Sequence, residues 1–343
     1  MNPELLKTCE LFIRNLDTLR EALKWEGDAV RMMGSAVLTS RSCEPDAARI
    51  RECETILKER AGLFSPLRGT LKTAIVCRMA MQDDPAEYFD NVQRAYELIR
   101  ITRRSRDDRY YLAAMMMAET VSEKDELLGL IDTANELYSA MKSSDGLFED
   151  RSGYLTAAAA ACVGTDDIEE LIRETEACRD ILERDFGQGG PVNELALMLA
   201  LDKSSSEPAL KCARLREIVK KLEEQGVRFA AGDELPVLGT LAMLEITNAD
   251  AAAYVLEADA YLRSQRGFGF MGCSPAMRHM YAAMLVAEAY VSEVSAGQAA
   301  EAAALESAIR AQYAAMDTDM LTMTMNINMM IQNGIIMNRE NGR

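Results

Sequence analysis

The chain has 343 residues, of which 49% are hydrophobic, and its formal net charge is −17. This length and composition are ample for a large buried core. The negative charge argues against nucleic acid and against anionic membrane surfaces as partners, because both require a basic face; it favours partners that are basic or amphipathic.

The first ten residues, MNPELLKTCE, carry no signal-peptide pattern, and no apolar run reaches the length that spans a bilayer. The eight cysteines include no CxxC pair, and most of them fall on apolar helix faces. These features predict a cytoplasmic protein whose cysteines are reduced core thiols.

Residues 1–27 begin the chain with an amphipathic pattern. Apolar side chains recur at helical spacing, with Glu, Lys and Arg opposite them, at Leu5, Cys9, Phe12, Leu16, Leu19 and Leu23. We expect one helix here, acting as an N-terminal cap on the body that follows.

Residues 28–291 repeat one plan seven times: a short helix rich in Ala, Met and Leu, an acidic turn, and a longer amphipathic helix. The short helices are predicted to start near Asp28, Thr70, Arg109, Gly153, Pro191, Leu235 and Ala276. A period of about 40 residues with two helices per unit is typical of stacked helical hairpins, in which each unit covers the apolar face of the next. The sequence therefore predicts an all-α fold in a single domain spanning residues 1–343. It consists of about seven stacked antiparallel helical hairpins in an α/α solenoid, either open and curved or closing toward a toroid.

The short helices are more uniformly apolar than the long ones, as in LAAMMMA at 112–118 and LTAAAAACV at 155–163. A helix that is apolar on all sides is expected in an inner layer that is covered twice, so the long amphipathic helices should form the outer, solvated layer. Gly34 and Gly239 fall inside short helices, where they predict the close approach of a neighbouring helix.

Residues 292–343 are expected to add further helices with a Met-rich end. Between 320 and 337, apolar residues alternate with polar ones, and Asn333-Gly334 would suit a β-hairpin turn. Met316, Met320 and Met323 also fit a helical stripe. We favour the helix, because a lone hairpin is poorly supported on an all-helical body.

No catalytic or metal-binding constellation stands out, and no cofactor is predicted. Residues 267–272, GFGFMG, match the GxGxxG dinucleotide fingerprint by letter, but that motif requires a preceding strand, and here a helix precedes it. We interpret the segment as a turn between helices. His279 is the only histidine, which excludes a multi-histidine metal site, and it is expected to be a half-buried structural residue.

Three arginines have related positions. Arg68, Arg109 and Arg151 lie just ahead of, or at the start of, three consecutive short helices. In a stacked array, equivalent positions line one edge, so guanidinium groups beside three helix N-termini would form an anion-binding ridge. The alternative is that neighbouring carboxylates, Asp107, Asp108 and Asp150, neutralise them as surface ion pairs.

Three blocks resemble a known family. LFSPLRG at 63–69, GVRFAAGDELPVLGTLAML at 226–244 and RGFGFMGCSPAMRHMYAAMLVA at 266–287 are similar to the bacterial domain-of-unknown-function family numbered 4003. The resemblance implies a cytoplasmic protein of the kind found mainly in Firmicutes. It implies no activity, cofactor or catalytic residue.

Two functions follow as hypotheses. The first is a non-catalytic helical-repeat scaffold, or a binding protein for a peptide or protein partner, because stacked hairpins form an extended concave surface. The alternative is an enzyme or metabolite-binding protein whose pocket is lined by the inner helices. Its candidate pocket residues are Glu234, Arg278 and His279, and no residue is assigned a catalytic role.

Overall fold

The computed structural model describes residues 1–69, 71–105, 107–121, 123–144, 153–164, 167–202, 207–229, 235–269 and 272–295. Over these ranges the fold is all-α, and no strand is present. The long helices are α1 Pro3–Ala22, α3 Ala47–Arg60, α5 Pro85–Arg103, α7 Lys124–Ser143, α9 Ile168–Phe186, α11 Pro208–Glu224 and α13 Asn248–Arg263. The short helices are α2 Asp28–Thr39, α4 Lys72–Ala80, α6 Arg109–Thr120, α8 Gly153–Val163, α10 Gly190–Ala200 and α12 Val237–Met243, and the longer α14 Pro275–Ser295 follows them in the same series.

Local sequence explains several helix starts. Asp84 caps α5 by accepting hydrogen bonds from the backbone N–H groups of Ala86 and Glu87, and Pro85 occupies the first turn. Asp167 caps α9 in the same way, and Thr247 caps α13. These side chains accept hydrogen bonds from backbone N–H groups of the first turn, which have no partner within the helix.

The helices form two layers. Each long helix except α11 packs most extensively against the helix that follows it, as α1 does on α2 and α7 on α8, whereas α11 packs more extensively against α13 than against α12. The tight hairpin is therefore a long helix followed by a short one, and α1 belongs to the first hairpin instead of lying outside the array. Long helices also contact the next long helix, and short helices contact neighbouring short helices, so the repeat predicted from the sequence is present.

The outer layer closes on itself. Helix α13 contacts α1, and α1 also packs against α14. At this seam the amino group of Met1 lies 3.3 Å from a carboxylate oxygen of Glu257 on α13. Arg20 donates a hydrogen bond of 3.0 Å to the carbonyl of Arg266 in the turn before α14. Of the two arrangements that the sequence left open, these contacts favour the closed one.

The seam also has an apolar core. Phe12 of α1 is fully buried, with its ring centre 6.0 Å from that of Phe268 and 5.5 Å from that of Tyr281. Phe268 belongs to the GFGFMG segment. The described part of that segment is a turn between two helices, as predicted, and Gly267 has a φ of +94°, a conformation that favours glycine.

The short helices form the inner layer, as predicted. Long stretches of them are buried on every side, for example residues 32–39 of α2, 73–80 of α4 and 110–117 of α6. Such runs cover more than one full helical turn, so both the outer helices and the other inner helices cover them. The long helices keep one exposed face.

The inner helices α2, α4 and α6 run in the same direction. The ends of α2, α4 and α6 meet, because Glu119 near the end of α6 contacts Arg41 and Arg78. Their beginnings meet at the opposite face, where Lys72 of α4 contacts Glu26, which precedes α2. We call these the C-terminal face and the N-terminal face of the ring.

Two glycines make a matched test of this packing. A Cβ atom added at Gly34 would lie 2.8 Å from Cγ2 of Thr73 and 2.9 Å from Sγ of Cys77 on α4, whereas one added at the exposed Gly129 of α7 would meet nothing within 4 Å. We expect Gly129→Ala to raise the free energy of unfolding by about 1 kcal/mol through helix propensity. Gly34→Ala should lower it, because overpacking typically costs about 1–3 kcal/mol. Urea denaturation of both variants measures the difference, and equal stabilisation would contradict the close approach of α2 and α4.

The remaining expectations concern the ends of the chain and membranes. The stretch 320–337, whether helix or hairpin, and all of the predicted C-terminal region after Ser295 lie outside the described residues. Within the described ranges, no helix combines the length and the apolar character needed to cross a bilayer.

Candidate functional site

The arginines of the predicted ridge have different surroundings in the structure. Arg109 forms an ion pair with Asp107, whose carboxylate also accepts a 2.9 Å hydrogen bond from Nε of that arginine, as the neutralisation alternative expects. Arg68 ends a single 3₁₀ turn before α4, and its Nε is buried and has no hydrogen-bond partner among the described residues. Arg151 lies outside the described residues. An anion-binding role for these arginines stays a prediction.

The second predicted group lies between α13 and α14. Nε of Arg278 is 2.6 Å from Oδ1 of Asp259, and Nε2 of His279 is 3.6 Å from the same oxygen. The ring centre of Phe229 lies 6.1 Å from that of the buried imidazole. Asp259 thus links the two helices of the last hairpin through both residues. Glu234 lies outside the described residues.

A larger opening lies at the C-terminal face, and we call it the end cleft. Its volume is about 950 Å³, and it is bordered by the start of α1, the turns after α2 and α4, the end of α6 and the last part of α14. Its lining is predominantly polar and consists of Glu4, Lys7, Ser40, Arg41, Ser42, Cys43, Met81, Gln82, Ala118, Glu119, Glu288, Val291 and Ser292. The volume is within the range typical of ligand pockets.

One wall of the end cleft is a network of charged side chains. Oε2 of Glu119 is 3.1 Å from Nη2 of Arg41, and Oε1 is 3.0 Å from Nε of Arg78. Tyr88 of α5 donates a hydrogen bond of 3.1 Å to Oε1 of Glu119. Burial and, next, the charge of Glu119 raise the pKa of Tyr88 well above its ordinary value, so this hydroxyl stays protonated as a donor. Three inner helices and one outer helix are joined at a single carboxylate.

The opposite wall carries a second carboxylate. Glu288 lies on α14 and is only 5% exposed, while Arg78, behind the first wall, is 4% exposed. Charged side chains are seldom buried to this extent unless they are paired or functional. The end cleft therefore has one buried carboxylate, Glu288, in its lining, and the buried Arg78 lies behind the partly buried Arg41–Glu119 pair.

Sequence reasoning missed this site. Arg78 interrupts the apolar run AIVCRMA, and Glu288 interrupts LVAEAYV. A single charged residue inside a helix that is apolar on all sides must be buried. Such a residue was the sequence signal that could have indicated this site. Its partners could not be read from the sequence, because they come from different repeats.

Comparison with protein families identifies the chain. A family model described as a protein of unknown function (DUF4003) matches residues 15–314. The chain belongs to the DUF4003 family. Comparisons with curated proteins and with solved structures gave no match.

The DUF4003 match includes the three blocks on which the resemblance depended, and the structure gives two of them physical roles. Residues 266–287 contain Phe268 and Tyr281, which pack on Phe12 at the seam of the ring. Residues 226–244 contain Gly239, where an added Cβ would lie 2.8 Å from Cβ of Met198 on α10. In this DUF4003 chain, the described residues hold no group of three or more His, Cys, Asp or Glu side chains placed to bind a metal ion. None of the eight cysteines, all of which lie within the described ranges, takes part in a disulfide, and six of them are buried.

Proposed function

We propose that this protein is a non-catalytic binding protein whose ligand is a short peptide, or an amino-acid-like zwitterion, held in the end cleft. The observation that supports the proposal is the presence of charged groups of both signs, the partly buried pair Arg41–Glu119 on one wall and the buried Glu288 on another, at a cleft of about 950 Å³. Such a combination of volume, buried charge and solvent access is typical of a site for a charged small ligand.

The closed ring favours this cleft over an extended groove. A solenoid binds partners along its concave inner surface, but the inner helices here are buried on all sides over most of their described length. A partner helix would have to displace the protein's own core to lie along them. The end cleft is an opening that the closed ring leaves accessible at its C-terminal face.

The lining suits both ends of a zwitterion. Arg41 is an arginine at the rim, and a guanidinium group binds a carboxylate through two parallel hydrogen bonds. Glu288 carries the opposite charge and would accept hydrogen bonds from an ammonium group. Ser42 and Gln82 supply neutral donors and acceptors for a peptide backbone between them. A cytoplasmic location, as predicted from the sequence, would give access to such peptides.

Isothermal titration with tripeptides tests the proposal. We expect tripeptides with free termini to bind, and the same tripeptides with an acetylated N-terminus and an amidated C-terminus to bind at least about tenfold more weakly, because each lost charged hydrogen bond is worth about 1.5–3 kcal/mol. Single amino acids form a separate arm that distinguishes a small zwitterion from a peptide. Mass spectrometry of the recovered peptides distinguishes binding from turnover, which would favour the enzyme alternative.

Variants locate the binding site. Glu288→Gln should weaken binding of the free tripeptide at least about tenfold, whereas Glu126→Gln, at an exposed position on the outer helix α7, should leave it unchanged. Ser292→Trp places bulk in the end cleft without removing a charge, and it should also abolish binding. Unchanged affinity in both cleft variants, or no binding by any member of the panel, would contradict the proposal.

A further inference from the structure

The N-terminal face of the ring carries large apolar side chains that nothing in the described structure covers. Trp25 is 98% exposed, and Phe64 is fully exposed. Leu63 is 79% exposed and Ile101 63%. Isolated exposed apolar residues are common, but a fully exposed tryptophan and phenylalanine at one end of a molecule are unusual.

These side chains belong to three consecutive connections of the ring. Trp25 lies between α1 and α2, Leu63 and Phe64 lie between α3 and α4, and Ile101 lies on the last turn of α5, just before the connection to α6. Contacts hold the three connections side by side. Glu26, next to Trp25, lies 2.6 Å from Nζ of Lys72 at the start of α4.

The second link joins the next pair of connections. Ser65, next to Phe64, lies near the side chain of Tyr111 at the start of α6: burial raises the pKa of Tyr111, and the interactions with Gln93 and Ser65 oppose that shift. The apolar tips therefore lie along one continuous arc of the N-terminal face, on supports that are fixed to the inner helices.

The charge of this arc differs from that of the protein as a whole. Residues 23–27, 58–69 and 100–109 together contain nine Lys or Arg residues and four Asp or Glu residues, and three of these basic residues, Lys58, Arg60 and Arg100, pair with carboxylates outside the segments; a positive excess remains, whereas the chain has a net charge of −17. Lys24 and Arg104 are exposed beside Trp25 and Ile101. At physiological salt, charges interact over about 8 Å, so a surface that touches the arc responds to the local positive charge more than to the distant acidic helices.

We propose that this arc, defined by Trp25, Leu63, Phe64 and Ile101 with the adjacent basic residues, docks the protein reversibly onto an anionic lipid surface. Tryptophan and phenylalanine favour the region of the lipid headgroups, and nearby Lys and Arg side chains attract acidic headgroups. The tips project as separate side chains, and a fluid interface accommodates each of them without a matching pocket. If the partner were a protein, each of these side chains would instead have to fit a preformed pocket on its surface.

Arg68 and Arg109 lie on the same face, at the starts of α4 and α6. The anion-binding ridge predicted from the sequence would then face lipid phosphates. From the net charge of the chain we expected no membrane partner. The proposal depends instead on the local charge and on exposed aromatic side chains, and the net charge contains no information about either. The lipid-docking proposal is independent of the end cleft, which opens at the opposite face.

Trp25 is the only tryptophan, so its fluorescence reports directly on the arc. We would add vesicles made of equal parts phosphatidylglycerol and phosphatidylcholine to the full-length protein, and in parallel vesicles of phosphatidylcholine alone. The proposal predicts a blue shift of the emission and flotation of the protein with the first kind of vesicle, both reversed by high salt. It predicts neither result with the second kind.

Matched variants separate docking from folding. Phe64→Ser with Leu63→Ser should weaken binding to the anionic vesicles by roughly tenfold to a hundredfold, because two exposed apolar side chains no longer enter the interface. Leu210→Ser changes a residue that is also exposed but lies at the start of α11, at the opposite face, and it should leave binding unchanged. Circular dichroism melting should be the same for all three proteins, since the changed side chains are exposed.

Three outcomes would overturn the proposal. The first is the absence of a spectral shift and of flotation with anionic vesicles. The second is equal binding to both kinds of vesicle, which would remove the role of the basic residues. The third is a blue shift that grows with protein concentration in the absence of lipid, which would assign the arc to an interface between copies of this chain.

Discussion

Replacing Phe12 with alanine is expected to lower the free energy of unfolding by about 3–5 kcal/mol, the usual cost of removing a buried aromatic ring. Phe12 is fully buried where α1 meets Phe268 and Tyr281 from the far end of the described chain. The substitution leaves a cavity at the contact that closes the ring. Urea denaturation monitored by circular dichroism measures the change.

Leu6→Ala on the same helix is the control, because Leu6 is exposed. It should change the free energy of unfolding by less than about 0.5 kcal/mol. If Phe12→Ala were as mild as this control, α1 would not be packed against the last hairpin, and the array would be open.

Replacing Glu119 with leucine is the second change with a large expected effect. The variant leaves Arg78, which is almost completely buried, without the carboxylate that lies 3.0 Å from its Nε. Removing one partner of a buried ion pair typically costs about 3–5 kcal/mol, because the remaining charge is buried without compensation. Thermal and urea denaturation should both show the loss.

The double variant Arg78→Met with Glu119→Leu provides the internal comparison. Replacing a whole buried pair with apolar side chains is often nearly neutral, so the double variant should be more stable than Glu119→Leu alone. Arg173→Met is the surface control, because the Arg173–Glu170 pair is exposed, and it should cost less than about 1 kcal/mol. Additive effects of the two substitutions at positions 78 and 119 would contradict the network.

The sequence predicted the helices well because their signals are local. The short helices expected near Arg109 and Gly153 begin at those residues, and the one expected near Thr70 begins at Lys72. Caps, prolines and apolar periodicity act within a few residues, and the sequence shows them directly. The inner position of the short helices followed from their uniformly apolar composition.

The closure of the ring and the pairing of helices into hairpins could not be predicted in the same way. A repeat indicates that neighbouring units pack, but it contains no information on whether the first unit meets the last. That contact joins Phe12 to Tyr281 across almost the whole described chain, and it depends on the small rotation between successive hairpins. The stronger pairing of most long helices with the helix that follows them also depends on packing, which the order of helices does not reveal.

The end cleft combines a predictable part and an unpredictable part. Buried charges at Arg78 and Glu288 follow from their apolar surroundings in the sequence. Their meeting with Arg41 and Glu119 does not, because lateral packing between repeats sets which helix ends lie together. The exposed tips at Trp25 and Phe64 were missed for a similar reason, since an apolar residue in a connection is equally compatible with burial.

Zero-length carbodiimide cross-linking of the monomer, followed by mass spectrometry, tests the closed ring most directly. Two amine–carboxylate pairs within the array, Lys72–Glu54 at 3.2 Å and Lys211–Glu174 at 3.5 Å, serve as positive controls. The closed ring predicts an additional link between the amino group of Met1 and Glu257, which are 3.3 Å apart. Recovery of both control links without any link between the first residues of α1 and either α13 or α14 would contradict it.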